Sequence, residues 1–264
     1  TEDTSVGENK GWQKITSSAD GTKVAAIIGE GAVGNIWISD DSGVTYTSRA
    51  SVLDWRGITM SSDGTKLAAV VYNGYIYTSI DSGVTWTQDT SVGATKKWRS
   101  ITSSDDFTKL AAVAANNYIW TSSDSGATWT QDTSVGATKN WYGITSSADG
   151  AKLAGIIING NIWTSNDSGV NWTEQSISET QNFRGITMSA DGTKLASVAY
   201  NGYIWTSTDS GATWTKDTSI GATKQWFGIT SSADGTKVMA TNLDYDIWIS
   251  CLLYTSDAAD ERLS

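Results

Sequence analysis

Short apolar runs recur along the whole chain, and each is bounded by a cluster of Ser, Asp, Asn and Gly. Between Trp55 and Gln88 this pattern predicts four β-strands. Strand A runs from Trp55 to Ser61 and is closed by Ser62-Asp63-Gly64. Strand B, Lys66 to Val71, is almost continuously apolar, as expected of a strand covered on both faces. An Asn73-Gly74 pair follows and predicts a tight hairpin into strand C, Tyr75 to Ser79. The turn Asp81-Ser82-Gly83 then leads to strand D, Thr85 to Gln88. No segment shows helical spacing.

The unit is repeated. The phrase Ser-Ser-Ala-Asp-Gly-Thr-Lys and its variants put Asp20, Asp63, Asp106, Asp149, Asp191 and Asp234 in register, at intervals of 43, 43, 43, 42 and 43. A second phrase, Ser-x-Asp-Ser-Gly-x-Thr-Trp, does the same for Asp41, Asp81, Asp124, Asp167 and Asp209, at 40, 43, 43 and 42. The short interval follows from unit one, where Ile28–Gly34 carries extra residues and the connection into Trp55 is correspondingly shorter. Four short strands per period of this length predict an all-β fold, a six-bladed β-propeller with four-stranded antiparallel blades. Residues 1–250 then form one domain of six repeats, with 251–264 an appendage.

Composition removes several classes of function. The net charge of −10 argues against nucleic acid, whose phosphates require clustered Lys and Arg, and against an anionic membrane surface. No apolar stretch is long enough to span a bilayer. With no His and one Cys, neither a metal site nor a cofactor is expected, nor general-base chemistry near neutral pH. Proline is absent, so the turns fall to Asp, Asn, Ser and Gly. Each Asp turn carries one or two carboxylates, too few for a calcium loop. A monomer is expected.

Ser79-Ile80-Asp81-Ser82-Gly83-Val84-Thr85-Trp86 and its copies resemble the Asp-box, or bacterial neuraminidase repeat. This resemblance implies that Asp41, Asp81, Asp124, Asp167 and Asp209 are structural. They would sit in turns between strands C and D, where Asp and Ser side chains bond backbone amides and the aromatic packs inward. Asp-boxes occur in hydrolases and in non-catalytic binding propellers alike, so the motif implies architecture and not activity. It favours a secreted or extracytoplasmic setting. The last residues depart from the pattern. A sixth box begins at Ile247-Trp248-Ile249-Ser250 and gives way to Cys251-Leu252-Leu253-Tyr254-Thr255, which resembles a translated sequencing adapter on a metagenomic fragment. Thr1–Gly7 matches Thr87–Gly93 and is expected to add to the outer edge of the last blade, with Leu252–Thr255 replacing part of its strand D.

The 14 Trp residues suggest a carbohydrate platform, but the repeat assigns each to packing. Trp12, Trp55, Trp98, Trp141 and Trp226, with Phe183, open strand A. Trp37, Trp120, Trp163, Trp205 and Trp248, with Tyr77, lie in strand C. Trp86, Trp129, Trp172 and Trp214, with Tyr46, close the Asp-boxes. Variation between repeats is concentrated elsewhere. In a four-stranded meander the A–B and C–D turns share one face, and the B–C and D–A connections share the other. On that second face the B–C loops hold Glu30, Tyr72, Asn116, Asn159, Tyr200 and Asp244. The position after the strand A aromatic holds Gln13, Arg56, Arg99, Tyr142, Arg184 and Phe227. Strand A is expected to be innermost, so these six would ring the mouth of a central channel. Gln13, Arg56, Arg99, Tyr142, Arg184, Phe227, Tyr72 and Tyr200 are therefore the ligand-binding candidates, for a glycan or protein ligand.

The resemblance also raises sialidase chemistry, a glycoside hydrolysis in which three Arg grip the substrate and a Tyr with a Glu partner attacks. Arg56, Arg99, Arg184 and Tyr142 fit the residue types, with Glu30 and Glu179 as acidic candidates. The Phe-Arg-Ile-Pro element of that family is missing, since Phe183-Arg184-Gly185-Ile186 lies inside a repeat. The expectation is a non-enzymatic binding scaffold with no catalytic residues. The alternatives are a sialidase-like hydrolase and a recently amplified array without a selected ligand.

Overall fold

Apolar runs this short gain little by curling into helices and much by pairing into sheets whose two faces can both be covered. The computed structural model, which describes residues 6, 10–29, 33–177, 180–244 and 246–251, is all-β with 23 strands and antiparallel pairing throughout. Strands follow one another as meanders. In unit two, strand A (Trp55–Met60) pairs with B (Leu67–Gly74), B with C (Ile76–Ser79) and C with D (Thr87–Gln88). The same order recurs in the units that open with strand A at Trp12–Ser17, Lys96–Ser103, Trp141–Ser146 and Phe183–Met188. The last unit shows strands Lys224–Ser231, Lys237–Asn242 and Ile247–Cys251. Glu30, Glu179, most of Thr1–Gly7 and the residues after Cys251 lie outside the described residues.

The Asp turns explain why the strands stop where they do. At the A–B turn of unit two, Ser61 Oγ donates to Asp63 Oδ1 (2.6 Å), which also accepts from Thr65 N–H (2.9 Å). Lys66 N–H closes the loop onto Ser61 Oγ at 3.0 Å. At the C–D turn of unit three, Ser122 Oγ donates to Asp124 (2.8 Å) and accepts from Gly126 N–H (2.9 Å). There Ser125 and Gly126 both have positive φ, 62° and 83°. The two turns lie on one face and are bonded together within each of the first five units, as in Ser82 N–H to Thr65 O (2.8 Å).

Units are joined in three layers. First strands of successive units adjoin one another. Apolar side chains interlock between neighbours: Ala25, Ile27, Ile36 and Ile38 of unit one pack with Trp55, Ile58, Leu67 and Ala69 of unit two. On the turn face a backbone rung links each A–B turn to the next: Ala19 N–H to Ser62 O, Ser62 to Asp105, Asp105 to Ala148, Ala148 to Ala190, Ala190 to Ala233.

The hairpin expected at Asn73-Gly74 is present: strands B and C pair across it, Val71 N–H donates to Tyr75 O (3.1 Å), and Asn73 has positive φ (55°). Tyr72 and Gly74 also pair with Lys97 and Lys96, which enter unit three, and this holds Tyr72 beside the next unit. One expectation needs correction. Trp12 is not core. It is 45% exposed, whereas Trp55, Trp98, Trp141 and Trp226 are fully buried, because among the described residues no neighbouring unit packs on that side of unit one.

Candidate functional site

On the face opposite the Asp turns, two kinds of position converge. The residue after each strand A aromatic projects from the inner strand, and the B–C loop residue leans over from the side. The result is an alternating arc. The Arg56 guanidinium lies 4.8 Å from the centre of the Tyr72 ring, and Arg99 lies 5.1 Å from the same ring. Arg99 is also 5.9 Å from the Tyr142 ring, which Arg184 approaches to 4.9 Å. Arg184 then meets Tyr200 at 5.6 Å. Six of the eight sequence-derived candidates thus form one continuous stack, Arg56–Tyr72–Arg99–Tyr142–Arg184–Tyr200. Gln13 and Phe227 hold the equivalent inner-strand positions in the first and last units, beyond its two ends.

The three arginines are not equivalent. Arg56 is buried and clamped by Asp54, with Nε 3.0 Å from Oδ1 and an Nη 3.0 Å from Oδ2. Asp54 is the residue immediately before the strand A aromatic. That same position holds Lys97 in unit three and Asn182 in unit five. Arg99 and Arg184 therefore lack the local carboxylate, and among the described residues neither has an ion pair. Arg99 Nε and Asn182 Oδ1 are buried without a hydrogen-bond partner; Arg56 Nε and Asp54 Oδ1 also lack hydrogen-bond geometry but face each other as an ion pair. In a chain of net charge −10, the arc is a local concentration of positive charge. Tyr72 and Tyr142 each contact two guanidiniums, so cation–π attraction offsets part of the cost of crowding three cations together.

Below the arc the inner strands leave a cavity of ≈ 160 Å³, lined by Lys14, Gly57, Ser100, Gly143 and Gly185 with Tyr142 and Arg184. Small residues recur here because first strands pass closely: a Cβ added at Gly57 would stand 3.1 Å from the backbone of Ser100 and Ile101. Among the described residues no three His, Cys, Asp or Glu side chains group as a metal site would require. The five C–D turn aspartates lie on the other face, each held by a Ser, a following hydroxyl or amide side chain, and a backbone N–H. These bonds hold the carboxyls of Asp41, Asp81 and Asp124 down at about 2 and lower those of Asp167 and Asp209.

What the sequence could not reveal was the interleaving. Arg56, Arg99, Tyr142 and Arg184 belong to one register position and Tyr72 and Tyr200 to another. Their contacts arise because each B–C loop bends onto the next unit. The Tyr72–Lys97 pairing that causes this has no local sequence signal beyond the Tyr-Asn-Gly phrase shared by units two and five.

No protein-family model matches the chain, and neither does any curated protein. Solved structures do. The GH74 xyloglucanase from Xanthomonas campestris is similar over 92% of this chain and 45% of its own, with a TM-score of 0.74 and 14% identity. A GH74 enzyme from Niastella koreensis matches over 91% of this chain and 37% of its own, TM-score 0.65, 17% identity. YCF48 from Cyanidioschyzon merolae matches over 89% of this chain and 94% of its own, TM-score 0.55, 13% identity. The chain spans less than half the length of the two GH74 proteins. At these identities the likeness establishes the fold, a β-propeller, and nothing about activity.

Proposed function

We propose that the chain is a six-bladed Asp-box propeller that acts as a non-catalytic binding module and takes a ligand bearing an anionic group at the Arg–Tyr arc. The observation that supports this best is the pair of arginines without a carboxylate partner, Arg99 and Arg184, stacked on either side of Tyr142. Arg99, with an unbonded Nε, has a donor to offer, and the planar fork of a guanidinium matches a carboxylate or sulfate. The tyrosine rings already serve the arginines, which argues against neutral sugars stacking on bare aromatic faces and for recognition through charge. Most glycoside hydrolases use two separate carboxyl groups, with sialidases, which use a Tyr nucleophile, an exception. Among the described residues the carboxylate at this arc, Asp54, is ion-paired to Arg56.

A glycan array that includes uronate- and sulfate-bearing members, followed by titration calorimetry on the hits, tests this reading. Binding of acidic members should weaken with added salt, and Arg99→Ala should reduce it at least tenfold, in line with loss of a charge-assisted hydrogen bond. The likeness to xyloglucanases makes xyloglucan the natural substrate control, beside a fluorogenic sialoside. Turnover of either that disappears in Arg99→Ala would replace the binding reading with a hydrolase.

A further inference from the structure

The connections from one unit to the next allow an internal comparison, because most of them carry the same packing device. Asp89, Asp132 and Asp217 stand opposite Ile76, Ile119 and Ile204 of strand C. Nine residues on from each comes the next strand A aromatic, Trp98, Trp141 or Trp226. Within that span the chain makes a tight turn, closed by Gly93 N–H to Thr90 O (3.2 Å), Gly136 to Thr133 (3.0 Å) and Gly221 to Thr218 (3.0 Å). The residue before each glycine, Val92, Val135 or Ile220, packs on the aromatics of the next unit, and Ile177 does so ahead of Phe183. In units three and four the aromatics covered in this way, Trp98, Trp120 and Trp129 or Trp141, Trp163 and Trp172, are all buried.

Among the described residues the contact between units one and two lacks this device. Arg49 stands opposite Ile36, and Trp55 follows only six residues later, three fewer than the turn takes. Ala50 and Leu53 approach the aromatics instead, and Val52 is turned out, 56% exposed. A cavity of ≈ 200 Å³ is left there, lined by Ala50, Ser51 and Leu53 on one side and Tyr77, Val84 and Trp86 on the other. Its aromatic wall is in place, since the rings of Tyr77 and Trp86 lie 5.3 and 6.1 Å from that of Trp55. Yet Tyr77 and Trp86 stay half-buried. The pocket has its walls and lacks the aliphatic side chain that fills its counterparts.

We propose that this pocket docks a protein partner, which supplies in trans the Val or Ile that the short connection does not. The four filled contacts define the occupant: an uncharged, β-branched aliphatic side chain carried on a protein loop. Val52 and Val84, both more than half exposed, give the mouth an apolar rim suited to such a loop. A sugar is the poorer fit. Of the lining side chains only Ser51 and Tyr77 carry a hydroxyl, and Tyr77 already donates to Gln88 Oε1 (3.0 Å). The pocket shares no residue with the Arg–Tyr arc, so the two sites stand or fall separately.

A synthetic peptide of residues 87–95, which carries Val92 on its native turn, is the probe. In nitrogen-edited NMR spectra the indole signals of Trp55 and Trp86 should shift saturably as it is added at millimolar concentration. The same peptide with Val92→Asp should leave them unmoved. Val84→Glu alters an exposed rim position, so the fold should survive, as circular dichroism can verify, and binding should weaken at least tenfold. A graft gives an independent readout: replacing Ala50–Leu53 with the sequence of Thr90–Lys96 restores the longer turn. The graft should melt at a higher temperature than the parent and no longer respond to the peptide, because its own valine fills the cavity. Absence of any shift with the native peptide, or an equal shift with the Val92→Asp peptide, would overturn the proposal. So would a folded graft that melts no higher than the parent. Saturable shifts with methyl xyloside and none with the peptide would make this a sugar pocket and overturn the proposal as well.

Discussion

At the scale of single residues, Phe107 is the sharpest conflict between local and tertiary preference. It occupies the glycine position of its A–B turn and holds φ at 64°, a region L side chains enter at a cost of about 1–2 kcal/mol. The side chain is fully buried against Trp98, Trp129, Ile101 and Leu110, and burial outweighs the backbone cost. Phe107→Ala loses the packing and keeps the strained backbone, so it should destabilise by about 3–5 kcal/mol. Phe107→Gly loses the same packing and relieves the backbone, so it should be the milder variant by about 1 kcal/mol. Urea denaturation of the two proteins measures the difference. An alanine variant more stable than the glycine one would show that the turn is not strained. The arc shows the opposite case, in which residue types were legible and partners were not. Arg56 and Arg184 look alike in sequence, and only the preceding Asp54 or Asn182 separates a neutralised guanidinium from an available one.

At the scale of the element, the Asp turns were the most legible part of the molecule, because each is a local device whose donors and acceptors lie within five residues of one another. Asp124 accepts from Ser122, from Thr128 N–H and from the Thr128 hydroxyl. Asp124→Ala should therefore destabilise by about 1–2 kcal/mol through loss of these bonds. Calcium should neither rescue the variant nor raise the melting temperature of the parent; a calcium-dependent rise of several degrees would reveal a metal site. The same bonds set the response to acid. Hydrogen bonds from Ser and Thr lower the carboxyls of Asp63, Asp106 and Asp191 from the ordinary 3.8 to about 2. The folded value lies below the unfolded one, so the stabilisation is fully present above about pH 4 and is lost as pH falls toward about 2. Asp149 is lowered with one contact fewer, since Ala151 stands where the other turns have a threonine. Melting temperature followed across that window should fall steeply, and a flat profile would show that the turns contribute nothing through ionisation. Strand ends away from these turns were less legible. The B–C loop takes its shape from pairing with the following unit, a contact some twenty residues further along the chain.

At the scale of the whole molecule, the period and the strand order announced the repeat, since a fixed spacing of Asp turns constrains every unit at once. The sequence led to an expectation for how the array ends, from the match of Thr1–Gly7 to Thr87–Gly93, but most of those first residues and all of Leu252–Thr255 lie outside the described residues; the exposure of Trp12 or Ile249 depends on which surfaces meet and not on local propensity. That distinction has a thermodynamic consequence. In an array of similar units, stability is the sum of what each unit contributes and what each interface contributes. Among the described residues interior units show two interfaces, while the first and last show one. The burial pattern follows this: the second strand of unit three, Leu110–Ala114, is buried throughout, whereas that of the last unit, Lys237–Asn242, alternates between exposed and buried. Native-state hydrogen exchange should therefore show a gradient. Amides of Leu110–Ala114 and Leu153–Ile157 should exchange by near-global unfolding. Those of Val24–Ile28 and Lys237–Asn242 should exchange through cheaper local opening of an end unit, at least tenfold faster, since one interface is worth more than about 1.4 kcal/mol. Uniform protection along the array would instead mean that the units unfold as one block, with the ends no weaker than the middle.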